Sequence, residues 1–433
     1  TGTARFGDAD LGGAYRLSDA AAPHQFRSAI TELATADGRV VHFEGLGAPG
    51  GGHVLSHAVA SQRGGTGDVV AAAGFRTGDV RFLSNAGGAA RQTQPVAEQL
   101  PGFSAAGQWH VPFAAVFDKA AADRAGAATA VSLTQVSVDV NDDETDRLDV
   151  MGAATGRMTT LIAASISASD AGFVDALGAL EDAQDAAQVV AVERVTGAEK
   201  WHRLLAVVDD NPVEAAGLHG VAASPNGRVE CVVGYVHTNK TLSDGAPPSV
   251  DIFGHAVELP YESGRDGVVA CFADDDSEAV GTATWAHALS GEGAWIDATA
   301  VFASDVHVMV VGTTTGHVSV VDTTVDNTEG VTVAAHERPS RCFIAVLDLL
   351  DGSFVHADVF GSAAADASCV PRAVHSLGLD AVWVGGSFSG VSPVDDAVDS
   401  EGTIEPFLAR YNVARATLAA PVALSRGSTA PGV

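Results

Sequence analysis

The densest chemistry in the sequence is an acidic run, Asp139-Val140-Asn141-Asp142-Asp143-Glu144-Thr145-Asp146. Oxygen donors recur at alternate positions, Asp139, Asn141, Asp143 and Thr145, which is the donor spacing of a calcium loop. Such a loop also needs glycine at its sixth position and an acid at its twelfth, where Glu144 and Val150 stand. The run falls between two strands, so the expectation is a solvated hairpin turn, with a calcium site as the alternative. The shorter acidic stretches Asp274-Asp275-Asp276 and Asp395-Asp396 carry less weight. A second set, His57, Thr134, His219, Asp297 and Arg372, begins short alternating segments that recur along the chain. Two histidines and an aspartate brought together could ligate a metal. Arg372 in the same set would oppose a cation, and residues related by repetition point the same way whether or not they act. The expectation is therefore a structural lining.

Four cysteines, Cys231, Cys271, Cys342 and Cys369, include no CxxC pair and no metal-ligand spacing, which leaves two disulfides or four buried thiols. No nucleophile elbow, phosphate loop, HExxH or dinucleotide fingerprint occurs, so the sequence gives no ground for expecting an enzyme and no cofactor is expected. The formal net charge of -30 comes from 54 acidic residues against 24 basic ones. That surface repels phosphate backbones and anionic lipid, and it disfavours nucleic acid and membrane surfaces as partners. No apolar run approaches the ~20 residues that span a bilayer. Residue 1 is Thr, so we expect either a processed leader or a piece of a longer chain.

The elements that would position these residues come from a repeat. Five segments share an apolar strand ending in glycine, mostly with a second glycine four positions on: Val69 to Gly74 with Gly78, Leu148 to Gly152 with Gly156, Val306 to Gly312 with Gly316, and Ala381 to Gly386 with Gly390. Val229 to Gly234 keeps only the first glycine and has Thr238 at the second place. Gly2-Thr3-Ala4-Arg5-Phe6 repeats the spacing of Gly78-Asp79-Val80-Arg81-Phe82. The short segments beginning at His57, Thr134, His219, Asp297 and Arg372 precede the glycine strands. Third strands follow at Phe113 to Asp118, Val189 to Glu193, Val268 to Asp274, Phe343 to Asp348 and Phe407 to Asn412. A fourth often carries an aromatic, as at Trp201, Trp285 and Phe354.

Four short strands per unit with glycine punctuation are what a propeller blade requires. A single blade has two apolar faces and cannot bury both alone, so blades stack on one another. The expected fold is an all-β β-propeller of about six blades, five complete and one partial, over residues 1–433 as a single domain. Because the repeat is out of phase with both ends of the chain, a larger parent protein is expected.

Phe343-Ile344-Ala345-Val346-Leu347-Asp348, Val382-Trp383-Val384-Gly385-Gly386-Ser387-Phe388-Ser389-Gly390 and Gly78-Asp79-Val80-Arg81-Phe82 resemble the bacterial-type β-propeller repeat. The resemblance implies a secreted or cell-surface protein with no shared catalytic residues.

The variable stretches, Ser84 to Pro112, Thr159 to Gln188, Thr241 to Gly267, Asp322 to Ser340 and Val391 to Pro406, occur at one phase of the repeat and should cluster on one rim. Within the second, Phe173, Leu177 and Leu180 have helical spacing and suggest a short packing helix over Asp170 to Gln188. Asn239-Lys240-Thr241 is an acceptor sequon at the start of an insertion, where a glycan on Asn239 could be accommodated. Cys231 and Cys271 lie on neighbouring strands of one blade and should pair, while Cys342 and Cys369 should tie successive blades. The function expected is an extracellular structural or adhesive module that contacts other proteins or copies of itself. A carbohydrate- or ligand-binding propeller, or a glycan-active enzyme using the loop-rich rim, is the alternative.

Overall fold

The computed structural model describes strand backbone over 5–423. It describes side chains over 150–165, 187–194, 198–205, 215–238, 249–259, 264–275, 281–291, 294–316, 318, 339–362, 364, 367–376, 381–390, 400 and 404–412. The protein is all-β, and its strands form antiparallel four-stranded blades. The chain divides into two compact units, residues 1–170 with 188–202, and 171–187 with 203–433. Among the described residues no helix is long and apolar enough to cross a membrane.

Blade one comprises Val54–Gln62, Val69–Arg76, Val111–Asp118 and Thr129–Gln135. Blade two comprises Arg147–Thr155, Thr159–Ser167, Asp185–Glu193 and Glu199–Leu204. Blade three runs Val213–Ala223, Val229–Thr238, Asp266–Ala273 and Trp285–Ser290. Blade four runs Ile296–Ala303, His307–Thr314, Arg341–Asp348 and Phe354–Phe360. Blade five runs Ser368–Ser376, Ala381–Ser389, Glu405–Asn412 and Thr417–Ala423. A partial sheet adds Ser28–Leu33, Val40–Gly47 and Arg81–Leu83. This is the β-propeller architecture expected from the repeat, five complete blades and a partial one.

The insertions do emerge between second and third strands. Two of them send a strand back to the edge of the preceding sheet. Arg81–Leu83 pairs with Val40–Gly47, and Val318–Val320 pairs with the fourth strand of blade three through Leu289↔Val320. A third insertion folds on itself as the hairpin Ser249–Ile252 with His255–Glu258. The Arg-Phe endings matched in the sequence each fall on a short strand, Arg5–Phe6 and Arg81–Leu83.

One device recurs in all five blades. The first strand carries a β-bulge where it faces the second, with the register shifting across His57, Met151, His219, Thr299 and Arg372. A bulge inserts an unpaired residue and turns the strand more sharply. It also explains the repeated glycine. A Cβ on Gly234, Gly312 or Gly386 would fall on the carbonyl oxygen of Gly217, Asp297 or Val370 respectively, each two residues before a bulge. The glycine is required by the close approach of the bulged backbone rather than by a turn.

The bulge corrects the reading of the second repeat. Leu148 to Gly152 is not a glycine strand but part of the first strand of blade two, with Gly152 just past the bulge and opposite Ala163. Ala164 stands at the place of the glycine. Thr134 accordingly belongs to the fourth strand of blade one, opposite Ala114, and is not an inner-strand residue. The stretch Thr159 to Gln188 opens with a strand, Thr159–Ser167, and closes with the start of another at Asp185. The last four residues of the suggested helix are therefore extended. The rest of that segment, Phe173, Leu177 and Leu180 included, lies outside the described residues.

Second and third strands of blades three and four are buried almost end to end, as in Val229–Thr238 and Arg341–Asp348. A strand covered on both faces reads as a continuous apolar run. The fourth strands Glu199–Leu204 and Phe354–Phe360 are less covered and mostly half-buried. Between blades three and four the core includes Val233, Val269, Leu289, Ile296, Val310 and Phe343. Between blades four and five it includes Ile344, Val346, Val384, Phe388, Phe407 and Tyr411. Burial of this apolar surface drives the stacking.

Candidate functional site

In blades three and four the bulge residue reaches the next blade. His219, the bulge residue of blade three, brings Nε2 to 2.9 Å from Asp297 Oδ1 on the first strand of blade four. Thr299, the bulge residue of blade four, donates its hydroxyl to the Pro371 carbonyl of blade five at 2.6 Å. The His219 and Asp297 atoms face each other without the alignment of a hydrogen bond, and both are buried. Of the residues expected to share one lining, the structure therefore joins His219 and Asp297. Asp297 itself sits two places ahead of the bulge, where Thr299 is the true equivalent of His57, His219 and Arg372. Arg372 is exposed on blade five. His57 takes the bulge position of blade one, and its side chain is outside the described residues.

A cation that the sequence reading passed over completes the cluster. Arg265, just before the third strand of blade three, places Nη1 3.2 Å from Asp297 Oδ2. Its guanidinium lies 3.8 Å above the Tyr235 ring and 5.3 Å from that of Trp295, within range of cation–π attraction. His219 tilts against Tyr235 at 5.5 Å between ring centroids, and His237 against Trp295 at 5.8 Å. Asp297 thus stands in a salt-bridged aromatic cluster with Arg265 and His219. Among the described residues no group of three or more His, Cys, Asp or Glu is placed to hold a metal ion. A legible signal did exist. Tyr235 and His237 leave the glycine strand, Arg265 ends the insertion and Trp295 precedes the next first strand, so all four flank connections at one rim.

The same seam recurs between the next two blades with different side chains. Arg265 and Trp295 form an isolated parallel bridge, and Ile296 N–H donates to the Arg265 carbonyl at 3.1 Å. Ser340 and Ser368 form the corresponding bridge, and Cys369 N–H donates to the Ser340 carbonyl at 2.9 Å. Here the neighbouring side chains are a disulfide, Cys342–Cys369, joining blades four and five. The other expected pair, Cys231–Cys271, joins directly opposed residues on the second and third strands of blade three. Both pairs are buried.

Farther out, Trp285 on the fourth strand of blade three donates Nε1–H to the Leu349 carbonyl of blade four at 3.0 Å. A Cβ on Gly352, whose φ is +69°, would meet Trp285 and His287 at 2.6 Å, so this turn lies flat on both rings. Burial pushes the His287 pKa down. Between blades four and five, His356 stacks on Tyr411 at 5.9 Å. The fully buried Tyr411 phenol has no hydrogen-bond partner among the described residues, and burial, reinforced by the Asp358 charge, raises its pKa. Burial likewise raises Asp358 and lowers Arg341.

The acidic run with Asp139, Asn141, Asp143 and Thr145, and the sequon residue Asn239, lie outside the described residues.

No family model matches the chain, and no curated protein does. Solved structures similar to it include a quinohemoprotein alcohol dehydrogenase, ADHIIG from Pseudomonas putida HK5, at 10% identity and a TM-score of 0.36, covering 86% of this chain and 61% of that one. BamB from Moraxella catarrhalis shares 11% identity at a TM-score of 0.26, covering 82% of this chain and 95% of that one. The β-propeller domain of the Trilobed protease from Pyrococcus furiosus shares 6% identity at a TM-score of 0.22, covering 86% of this chain and 98% of that one. Similarity at this level carries no argument about activity.

Proposed function

We propose that the protein is an extracytoplasmic structural or adhesive module of the bacterial-type β-propeller repeat kind. It presents its rim connections to other proteins or to further copies of itself and performs no catalysis. The carrying observation is the pair of buried disulfides, one of which welds successive blades. Such bonds persist in oxidising surroundings and are rare where thiols are kept reduced. Around Asp297 the chemistry favours the same reading. Its charge is taken up by Arg265 and the imidazole of His219. Chemical cross-linking of the protein in its native fraction, followed by sizing under denaturing conditions, tests the assembly. Cross-linked species larger than one chain are expected, and a chain that stays monomeric at every cross-linker concentration would refute it.

A second reading, a ligand-binding module, is favoured by one specific feature. Trp295 is the only exposed aromatic among the described residues, and it stands at the rim from which the insertion of blade three emerges.

A further inference from the structure

Resting on this second reading, we propose that Trp295, His237 and Arg265 form a subsite for a neutral saccharide at the seam of blades three and four. Trp295 is 39% exposed, and its main chain is fixed on both sides. Its backbone N–H donates to Thr315 Oγ1 at 2.9 Å, and its carbonyl accepts the Thr315 N–H at 3.1 Å. Its indole edge rests on Gly264, where a Cβ would lie 2.6 Å from Nε1. A preformed aromatic platform costs little ordering on binding.

The surrounding groups select the ligand class. A cation is disfavoured because the Arg265 guanidinium already covers the Tyr235 ring and pairs with Asp297 at 3.2 Å. An anion is disfavoured because Asp297 offsets the charge of Arg265 at 3.2 Å within a chain of net charge -30. An apolar ligand would cover the exposed quarter of the Arg265 and Asp297 side chains and offer their polar atoms no hydrogen bond, which is costly. A neutral polyol meets all of these conditions. Its C–H faces stack on the indole while its hydroxyls donate to the carboxylate and accept from guanidinium and imidazole. Sequence points the same way at Gly264, since any larger residue there would dislodge the platform.

Isothermal titration calorimetry of the whole chain with cellotriose, chitotriose, mannotriose and maltotriose tests the assignment, with sialyllactose and choline as charged counterparts. At least one neutral trisaccharide is expected to bind with a Kd below about 1 mM. Trp295→Ala should weaken it at least about tenfold, and Trp295→Phe by no more than about threefold, with thermal unfolding unchanged. If Trp295→Ala does not fold, Arg265→Lys carries the test, since it keeps the charge and loses the planar fork; it too should weaken binding about tenfold. Saccharide binding indifferent to Trp295 would overturn this subsite and leave the ligand-binding reading standing. Binding of choline or sialyllactose alone would overturn the ligand class. Silence from all six probes would overturn the subsite and the reading together.

Discussion

Blades three and four meet across the same backbone geometry as blades four and five, and the two seams use it differently. In each, a residue just before a third strand bridges in parallel to the start of the next blade, over a core of branched and aromatic side chains. At the first seam that bridge carries Arg265 and Trp295, and the rim stays polar and open. At the second it carries Ser340 and Ser368 beside a disulfide, over a core closed by Tyr411. A bulge-and-bridge frame thus fixes where side chains meet, while their identity decides whether a seam carries a disulfide or a salt-bridged aromatic cluster. Neither seam needs the other to change.

The largest expected effect tests the frame common to both. Gly312→Ala and Gly386→Ala should each destabilise by about 3 kcal/mol or more, because the added methyl lands on a bulge carbonyl. Gly385→Ala should stay within about 1 kcal/mol, since its Cβ would meet nothing nearer than 3.8 Å. Urea unfolding of the three variants decides it, and equal losses at Gly385 and Gly386 would break the account of the repeat.

Next come the fastenings. Replacing Cys342 and Cys369 together by Ser removes a 27-residue closure and should lose about 3 to 4 kcal/mol. Limited proteolysis should then cut within blade five before blade three. Trp285→Phe, at the first seam, keeps the ring but loses the hydrogen bond to Leu349 and should lose about 1 to 2 kcal/mol. A larger loss from Trp285→Phe than from the cysteine pair would reverse the contrast between the seams.

The smallest effects separate the seams by pH. His287 has a lowered pKa in the folded protein, so the unfolded chain binds its proton first. Stability from this group is full above about 6.5 and is lost as pH falls below that value. Asp358 has a raised pKa. Its contribution is present below about 3.9 and is lost as pH rises through its folded value, so acidification there favours the fold. Urea midpoints of His287→Gln should therefore fall less than those of the parent between pH 7 and 5. Midpoints of Asp358→Asn should lose the parent's upturn at lower pH. The same pH response in both variants would contradict the assignment.

Much of the frame was legible because it is written in glycine. Gly234, Gly312 and Gly386 mark second strands since a bulged carbonyl leaves them no room for a side chain, and the third strands announce themselves as unbroken apolar runs. The second repeat misled for the same reason. Gly152 ends an apolar run as a strand glycine does, but it stands beside a bulge, and Ala164 occupies the place where glycine was to be read. The segment Val150-Met151-Gly152-Ala153-Ala154 parallels Leu218-His219-Gly220-Val221-Ala222 closely, and that pairing was the available correction. Of the cluster, His219 was visible by phase, whereas Asp297 was singled out two places ahead of its true equivalent, Thr299. Arg265 and Trp295 were not visible, because they lie outside the repeated strands and meet only through pairing between blades. Cys231–Cys271 was readable because neighbouring strands place the two cysteines within reach, and Cys342–Cys369 because each opens a strand of successive blades.

The central claim, a rigid module built for life outside the cytoplasm, is tested most directly by fractionating the native source and titrating thiols in the unreduced, denatured protein. The account predicts the chain in the surface or external fraction with no free thiol. Four free thiols on a chain confined to the cytoplasm would contradict it.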